Sequence, residues 1–538
     1  MNLFFKDLKK LLPIGGIVLY PFFVFLIFGF FYVPSTYGYL KEIVAFGLFS
    51  VILFVTIFLF KPLKIRNFLF DFLIVLLSIL IIVKLFFYST YETKLSTSAL
   101  YVIFESNKGE ISGYFYDFIK TSKVLFVLMF LFGILFFVKK YLRDKGTLNL
   151  SDIPLLCFTN GIAKIFVLIF VVLSSMLIYK KFNDENILIE IYNSYAEYVD
   201  LKTKLKNTLA KEKSDYIKLV SKLDVAQTYV VVIGESTSSW HMQLYDYARE
   251  TNPLLSEIKD ELIIFKDVIA PHVHTIASLE KILTMSDYSN PNVKENSSII
   301  QIANEAGFTT YWLSNQQPIG IDESIPTLIG NAAQHKYFIN TDDYGDNVYD
   351  EKLLPQLQNI LNEDVTKKMV FVHLMGTHTP YKRRYPKEFQ FFNNDSGFKL
   401  KVNEYDNAIR YNDFVIRNII EKVRELETNS YVLYFSDHGD EVYDTMDFFG
   451  HNEYHATKPM YEVPFIFWFS KGYKKNISHI KESDLLLERK YNLENFVHSF
   501  SDVSQINFNR LDSTKSIFSN KFKESKRLIK KGIDYDKD

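Results

Sequence analysis

The chain has one cysteine, Cys157, in 538 residues. An intrachain disulfide is therefore excluded, and so is a metal site built from several thiolates; a bound metal must take oxygen and nitrogen ligands. Excess charge of one sign is also missing, with 61 Lys and Arg against 62 Asp and Glu. No global field recommends nucleic acid as a partner. Internal repeats and low-complexity segments are absent.

What is present divides the chain into unlike halves. The first 180 residues are dominated by Phe, Leu, Ile and Val, in apolar runs at 11–33, 43–60, 68–88, 124–138 and 158–179. Runs of this length predict five membrane-spanning helices in residues 1–180, the fourth being short. Lys6, Lys9 and Lys10 precede the first run, Lys61, Lys64 and Arg66 follow the second, and Lys139, Lys140, Arg143 and Lys145 follow the fourth. Basic connections on alternate sides put the N-terminus in the cytoplasm and everything after Tyr179 on the far side of the membrane. Residues 181–225 alternate charged and apolar positions at helical spacing, which predicts one or two amphipathic linker helices. Residues 226–525 have ordinary globular composition, and residues 526–538 read as a charged, frayed tail.

From residue 226 the pattern alternates strand and helix. TYVVVIG, ELIIFKDVIA, FTTYWLS, KKMVFVHLMG, SYVLYFS and VPFIFWFS read as strands, and DNAIRYNDFVIRNIIEKVREL as a long helix. The alternation predicts an α/β sandwich around a largely parallel sheet. Polar residues gather where these strands stop: Glu235 after VVVIG, His272, His274 and Thr275 after DVIAP, Thr377 and His378 after VFVHLMG, and Asp437, His438, Asp440 and Glu441 after YVLYFS, with His451 beyond. Carboxyl ends of strands are where such sheets bind ligands. Asp, Glu and His grouped there form a ligand set for zinc or a similar divalent ion. Thr275 precedes a predicted helix, so its hydroxyl lies at a positive N-terminus; it reads either as a helix cap or as a nucleophile activated by a metal.

GESTSSWHMQLYDYARETNPLL, APHVHTIASLEKILT, HLMGTHTPYKRRYP and SDHGDEVYDTMDFFGHNE together resemble the phosphoethanolamine transferases of Gram-negative envelopes, within the alkaline phosphatase and sulfatase superfamily. The resemblance runs over nearly the whole chain and is nearer the branch acting on lipopolysaccharide core than the branch typified by colistin resistance. It implies an inner-membrane, multi-pass monomer with an alkaline phosphatase-like domain in the periplasm. Phosphoethanolamine would move from phosphatidylethanolamine through Thr275 to lipid A or lipopolysaccharide core. Glu235, Asp437 and His438 would hold Zn2+ with Thr275 as fourth ligand and phosphoacceptor. His378 and His451 would contact the phosphoryl group or a second zinc, and Asn315 the substrate. A membrane-anchored phosphodiesterase or glycerol-phosphate transferase is the alternative on the same scaffold; a sulfatase is disfavoured because the nucleophile segment lacks the Cys or Ser motif that is converted to formylglycine. The chain departs from the family in lacking its disulfides and a lysine after the Asn, in NQQPIGIDES, and His455 rivals His451.

Overall fold

The computed structural model describes residues 2–32, 36–57, 62–91, 100, 122–148, 161–182, 185–289, 291, 295–316, 325–340, 348–392, 399–453, 455–476 and 487–537. Cys157 and the start of the fifth apolar run lie outside them. Two compact units divide the chain: Met1–Phe104 with Phe115–Tyr198, and Val199–Asp538 with Glu105–Tyr114.

The first unit is helical: α1 (Asn2–Tyr32), α2 (Thr36–Ile57), α3 (Leu63–Tyr91), α4 (Lys123–Asp144), α5 (Gly161–Lys181) and the start of α6 (Ile187–Leu209). Among the described residues three helical segments are long and apolar enough to cross a bilayer, Tyr39–Ile57, Leu63–Ser89 and Lys123–Asp144; Pro13–Gly29 is apolar but shorter. The helices are apolar all round. Phe25, Phe70, Ile74 and Leu128 are fully buried between them, while Phe68, Phe130 and Phe137 point outward, as in a bundle solvated by lipid. The fourth run looked short because its basic end belongs to the same helix. Lys139 (3.1 Å) and Arg143 (2.8 and 2.9 Å) both bind Asp71 of α3.

The second unit is built on a seven-stranded sheet: β1 (Gln227–Gly234), β2 (Leu262–Phe265), β3 (Thr309–Ser314), β4 (His335–Phe338), β5 (Lys367–His373), β6 (Ser430–Ser436) and β7 (Phe465–Phe469), in the order β2-β7-β6-β1-β5-β3-β4. Only β7 is antiparallel to its neighbours. Strand β1 sits in the middle, and both its faces are covered. Tyr229, Val231 and Ile233 enter one core with α7 (Thr275–Ile282), α8 (Ile299–Glu305) and α11 (Phe496–Val503). Val230 and Val232 enter the other with α9 (Leu353–Leu361) and α10 (Lys399–Arg424). That double burial is why the strand reads as an unbroken apolar run.

Three expectations give way here. ELIIFKDVIA is two strands: after β2 the chain breaks at Lys266-Asp267, and Val268–Ile269 pairs with Tyr491–Asn492 instead. The linker is helical only to Leu209; Leu219–Lys222 is a strand paired with Ile506–Phe508. The tail is folded, not frayed. Leu528–Ile529 pairs with Ile533–Asp534, and Arg527, 3% exposed, binds Asp267 and Asp536.

The segment after β1 is pinned to α10 by His241. Its Nδ1 lies 2.6 Å from Asp406 and its Nε2 3.1 Å from Asp444; Arg249 (2.5 Å) and Tyr247 (3.1 Å) also bind Asp406. Burial alone would discharge His241, but the bonds and charges of Asp406 and Asp444 raise it to about 9. A raised folded value stabilises fully below the unfolded value, near 6.5, and is lost as pH rises through 9. This contribution is on the order of 3 kcal/mol. Denaturant midpoints should therefore fall between pH 6.5 and 9.5, and His241→Gln should flatten that fall. An equally steep fall in the variant would refute the assignment.

Candidate metal centre and nucleophile

The carboxyl ends of β1, β5 and β6 lie side by side, so residues far apart in sequence meet there. Glu235, Asp437 and His438 are each at most 1% exposed, and one ligand atom from each lies within 4.8 Å of the others. His438 Nε2 is 3.3 Å from Glu235 Oε1 and 3.6 Å from Asp437 Oδ2. Its Nδ1 meets the Gly439 carbonyl at 3.0 Å, which assigns the proton to Nδ1 and turns the Nε2 lone pair to the carboxylates.

The backbone is shaped for this convergence. Ser236 adopts φ +58°, which points its N–H at Asp437 Oδ1 (3.1 Å) while its hydroxyl donates to Glu235 (2.9 Å). Tyr405 clamps the turn, donating to Ser236 O and accepting from Ser238 N. Across it, Gly376 has φ +54°, and a Cβ there would lie 2.7 Å from the Glu235 carbonyl, so only glycine lets β5 end this close.

Thr275 opens α7. Its hydroxyl lies 3.1 and 3.2 Å from the Glu235 oxygens and 3.4 Å from His438 Nε2. His451 stands next to this group, its ring 4.3 Å from that of His438 and its Nδ1 2.8 Å from Asp440. His438, Asp440 and His451 form a second set of converging ligand atoms, and Tyr381 holds the far oxygen of Asp440 at 2.7 Å. Of the two rival histidines, His451 is the one in this set; His455 is not. His378 is half-buried with its Nδ1 on the Thr379 carbonyl at 2.6 Å.

Asn315 departs from expectation. Its amide nitrogen donates to Val348 O (2.9 Å) and Asp350 (2.8 Å), so it braces the loop after β3. The next residue, Gln316, reaches the centre instead, donating to Glu235 Oε2 at 3.2 Å and Leu374 O at 3.0 Å. Sequence reasoning passed over Gln316, Ser236 and Glu453. The only signal for them was adjacency to Asn315, Glu235 and His451.

The charges show what the centre lacks. Burial disfavours the Glu235 carboxylate, yet the hydrogen bond and charge of His438 hold it well below the usual range. Burial first, and the Glu235 charge second, push Asp437 well above it. Burial opposes the His438 imidazolium, but Asp437 and Glu235 raise it to about 10. Asp437 Oδ2 is buried without a hydrogen-bond partner. Two buried carboxylates, one of them with an orphaned oxygen, and the His438 Nε2 facing one point fit a divalent cation with N/O ligands, which would take the place of the Nε2 proton.

Residues 227–506 match the family described as Sulfatase. The chain is 34% identical over 332 residues to phosphoethanolamine transferase EptC of Escherichia coli (strain K12), covering 58% of this chain and 57% of that protein; it thus spans little more than half the length of this curated relative. The crystal structure of the C-terminal periplasmic domain of Escherichia coli EptC in complex with Zn superposes with a TM-score of 0.55 at 32% identity, covering 59% of this chain and 92% of that one. The integral membrane protein lipooligosaccharide phosphoethanolamine transferase A from Neisseria meningitidis shares the fold over 94% of this chain and 98% of that one, with a TM-score of 0.66 at 19% identity. With the matched segment covering the sheet from β1 to β7 and the centre at its strand ends, the chain belongs to the sulfatase family.

Proposed function

We propose that the protein transfers phosphoethanolamine from phosphatidylethanolamine to lipid A or lipopolysaccharide core, through a phosphothreonine at Thr275. The observation that carries this reading is the Thr275 hydroxyl at a helix N-terminus, 3.1 Å from Glu235 and 3.4 Å from His438 Nε2. Glu235, Thr275, Asp437 and His438 would hold Zn2+, the ion found with the related Escherichia coli domain. When bound, zinc lowers the pKa of a coordinated hydroxyl and stabilises charge on phosphoryl oxygens.

The remaining work falls to the chain. Thr275 Oγ1 attacks phosphorus, and the bond to the diacylglycerol oxygen breaks. Glu235 is the acceptor within reach of the hydroxyl proton. His451, whose Nδ1 lies on Asp440, would reach a phosphoryl oxygen or the departing alkoxide when it carries a second proton at Nε2, and that proton is the one the alkoxide takes. The α7 N-terminus favours the anionic adduct until an acceptor hydroxyl or phosphate takes the group and frees Thr275. His378 would contact the same phosphoryl group. Five membrane spans, with the catalytic unit in the periplasm of an inner-membrane protein, would bring this chemistry to a bilayer donor.

Full-length protein with zinc, in vesicles containing headgroup-labelled phosphatidylethanolamine, should release diacylglycerol and move the label to added lipid A. Label appearing only as free phosphoethanolamine, with the acceptor ignored, would make the protein a phosphodiesterase instead.

A further inference from the structure

Beside the centre lies a carboxylate to which the transfer chemistry assigns no role. Glu453 is 7% exposed, and neither of its oxygens has a hydrogen-bond partner. Two imidazoles flank it, His272 with Nδ1 3.4 Å from Oε1 and His274 with Nε2 3.5 Å from Oε2. Both nitrogens of His274 are buried and lack a hydrogen-bond partner as well. A buried carboxylate without donors is costly, and such a group calls for an occupant.

The hydrogen-bond network says what kind. Tyr288 donates to Pro271 O at 3.0 Å and meets His272 Nε2 at 2.9 Å. Its one proton is used on the carbonyl, so His272 donates from Nε2 and turns the Nδ1 lone pair toward Glu453. Acceptor therefore faces acceptor, and a group with several N–H donors would satisfy all three side chains. A metal fits less well. Among the described residues only the two ligand sets already named bring three atoms within 4.8 Å, and neither includes Glu453. Zinc draws its ligands to about 2 Å, whereas N–H donors act at about 2.9 Å.

The location ties this cluster to the substrate. His274 directly precedes Thr275, its ring lies 5.6 Å from that of His451, and Glu453 follows His451 by two residues. A phosphoryl group on Thr275 has a two-carbon arm to extend, ending in a primary ammonium with three donors. We propose that Glu453, His272 and His274 seat the ammonium of the phosphoethanolamine group, making Glu453 the residue that selects this donor over lipids with uncharged headgroups. The proposal rests on the transferase reading above. Burial disfavours the Glu453 carboxylate, but His272, then His274, and last Lys530 hold it below the usual range, so it would meet an ammonium in its charged form.

The test uses full-length protein with zinc and two donors of identical acyl chains, phosphatidylethanolamine and phosphatidylglycerol. Glu453→Gln should lower kcat/KM for diacylglycerol release from the first by about ten-fold or more, and the ratio between donors should collapse, because a charge-assisted contact is lost. Equal losses on both donors, or an unchanged ratio, would overturn the proposal. So would loss of zinc from the variant, which would make Glu453 a metal ligand. Wild-type protein provides a readout independent of the variant's folding. O-phosphoethanolamine should inhibit about ten-fold more tightly than propyl phosphate, which keeps the shape and lacks the charge; equal inhibition would overturn the assignment. Wild-type protein that releases diacylglycerol from neither donor would instead count against the transferase reading.

Discussion

Thr275→Ala is expected to abolish diacylglycerol release and acceptor modification together, by roughly a thousand-fold or more, because removing a covalent nucleophile removes both half-reactions. The site should survive the change. Glu235 keeps the Ser236 and Gln316 donors, Asp437 keeps the Ser236 and His438 backbone N–H groups, and His438 keeps the Gly439 carbonyl. Zinc should still bind through three ligands, with water in place of the hydroxyl. Thr275→Ser retains the oxygen and should retain measurable turnover. With acceptor withheld, the wild-type peptide HVHTIASLEK should gain the mass of one phosphoethanolamine. A normal rate of diacylglycerol release from Thr275→Ala would show that water or another side chain attacks.

Asp437→Asn separates metal binding from folding, and its two effects should have opposite signs. The substitution keeps the shape and the Oδ1 acceptor that holds Ser236 and His438 but removes the charge that would meet the ion. Zinc affinity should drop by more than about a hundred-fold, since loss of an outer partner alone costs 10–100-fold. Metal-free protein, however, should be no less stable than metal-free wild type. In the wild type Asp437 is a buried carboxylate pressed against Glu235, and its pKa is pushed up for that reason. Neutralising it relieves a cost that only the cation offsets. Thermal melting with and without zinc reads both effects: the wild type should gain stability on adding zinc and the variant should not. A variant that binds zinc normally would remove Asp437 from the ligand set.

The centre was legible because buried parallel strands read as apolar runs, and the runs stop where chemistry begins. VVVIG and YVLYFS each end on acidic or histidine residues, so the break in pattern marked the region, and the family resemblance singled out Glu235, Asp437 and His438 within it. Other features left no periodic trace. Strand direction is absent from a period of two, which hid the reversed β7. Four residues of mixed polarity, HKYF, do not announce β4. In the tail, Arg527 finds Asp267 across 260 positions, and no local composition encodes that pairing. The backbone of Asn315 still continues the ladder, with its N–H on His373 O at 3.0 Å. Its side chain therefore turns into the loop after β3, and the following Gln316 faces the centre. Glu453 was passed over because HNEYHATK has the composition of an ordinary surface loop.

The position of β1 at the middle of the sheet has a kinetic consequence. The strand that carries Glu235 is the first of the sheet to leave the ribosome, yet its two neighbours are β5 and β6, and the Ser236–Asp437 bond spans 201 residues. One flank of β1 waits for His373 and the other for Ser436, and contacts of such long range make folding slow. With one cysteine in the chain, no disulfide can trap a partial structure on the way. Metal capture would therefore be a late event: Glu235 meets Asp437 and His438 only when β6 docks, so an ion held there would act as a final latch on an assembled sheet and not as a template for it.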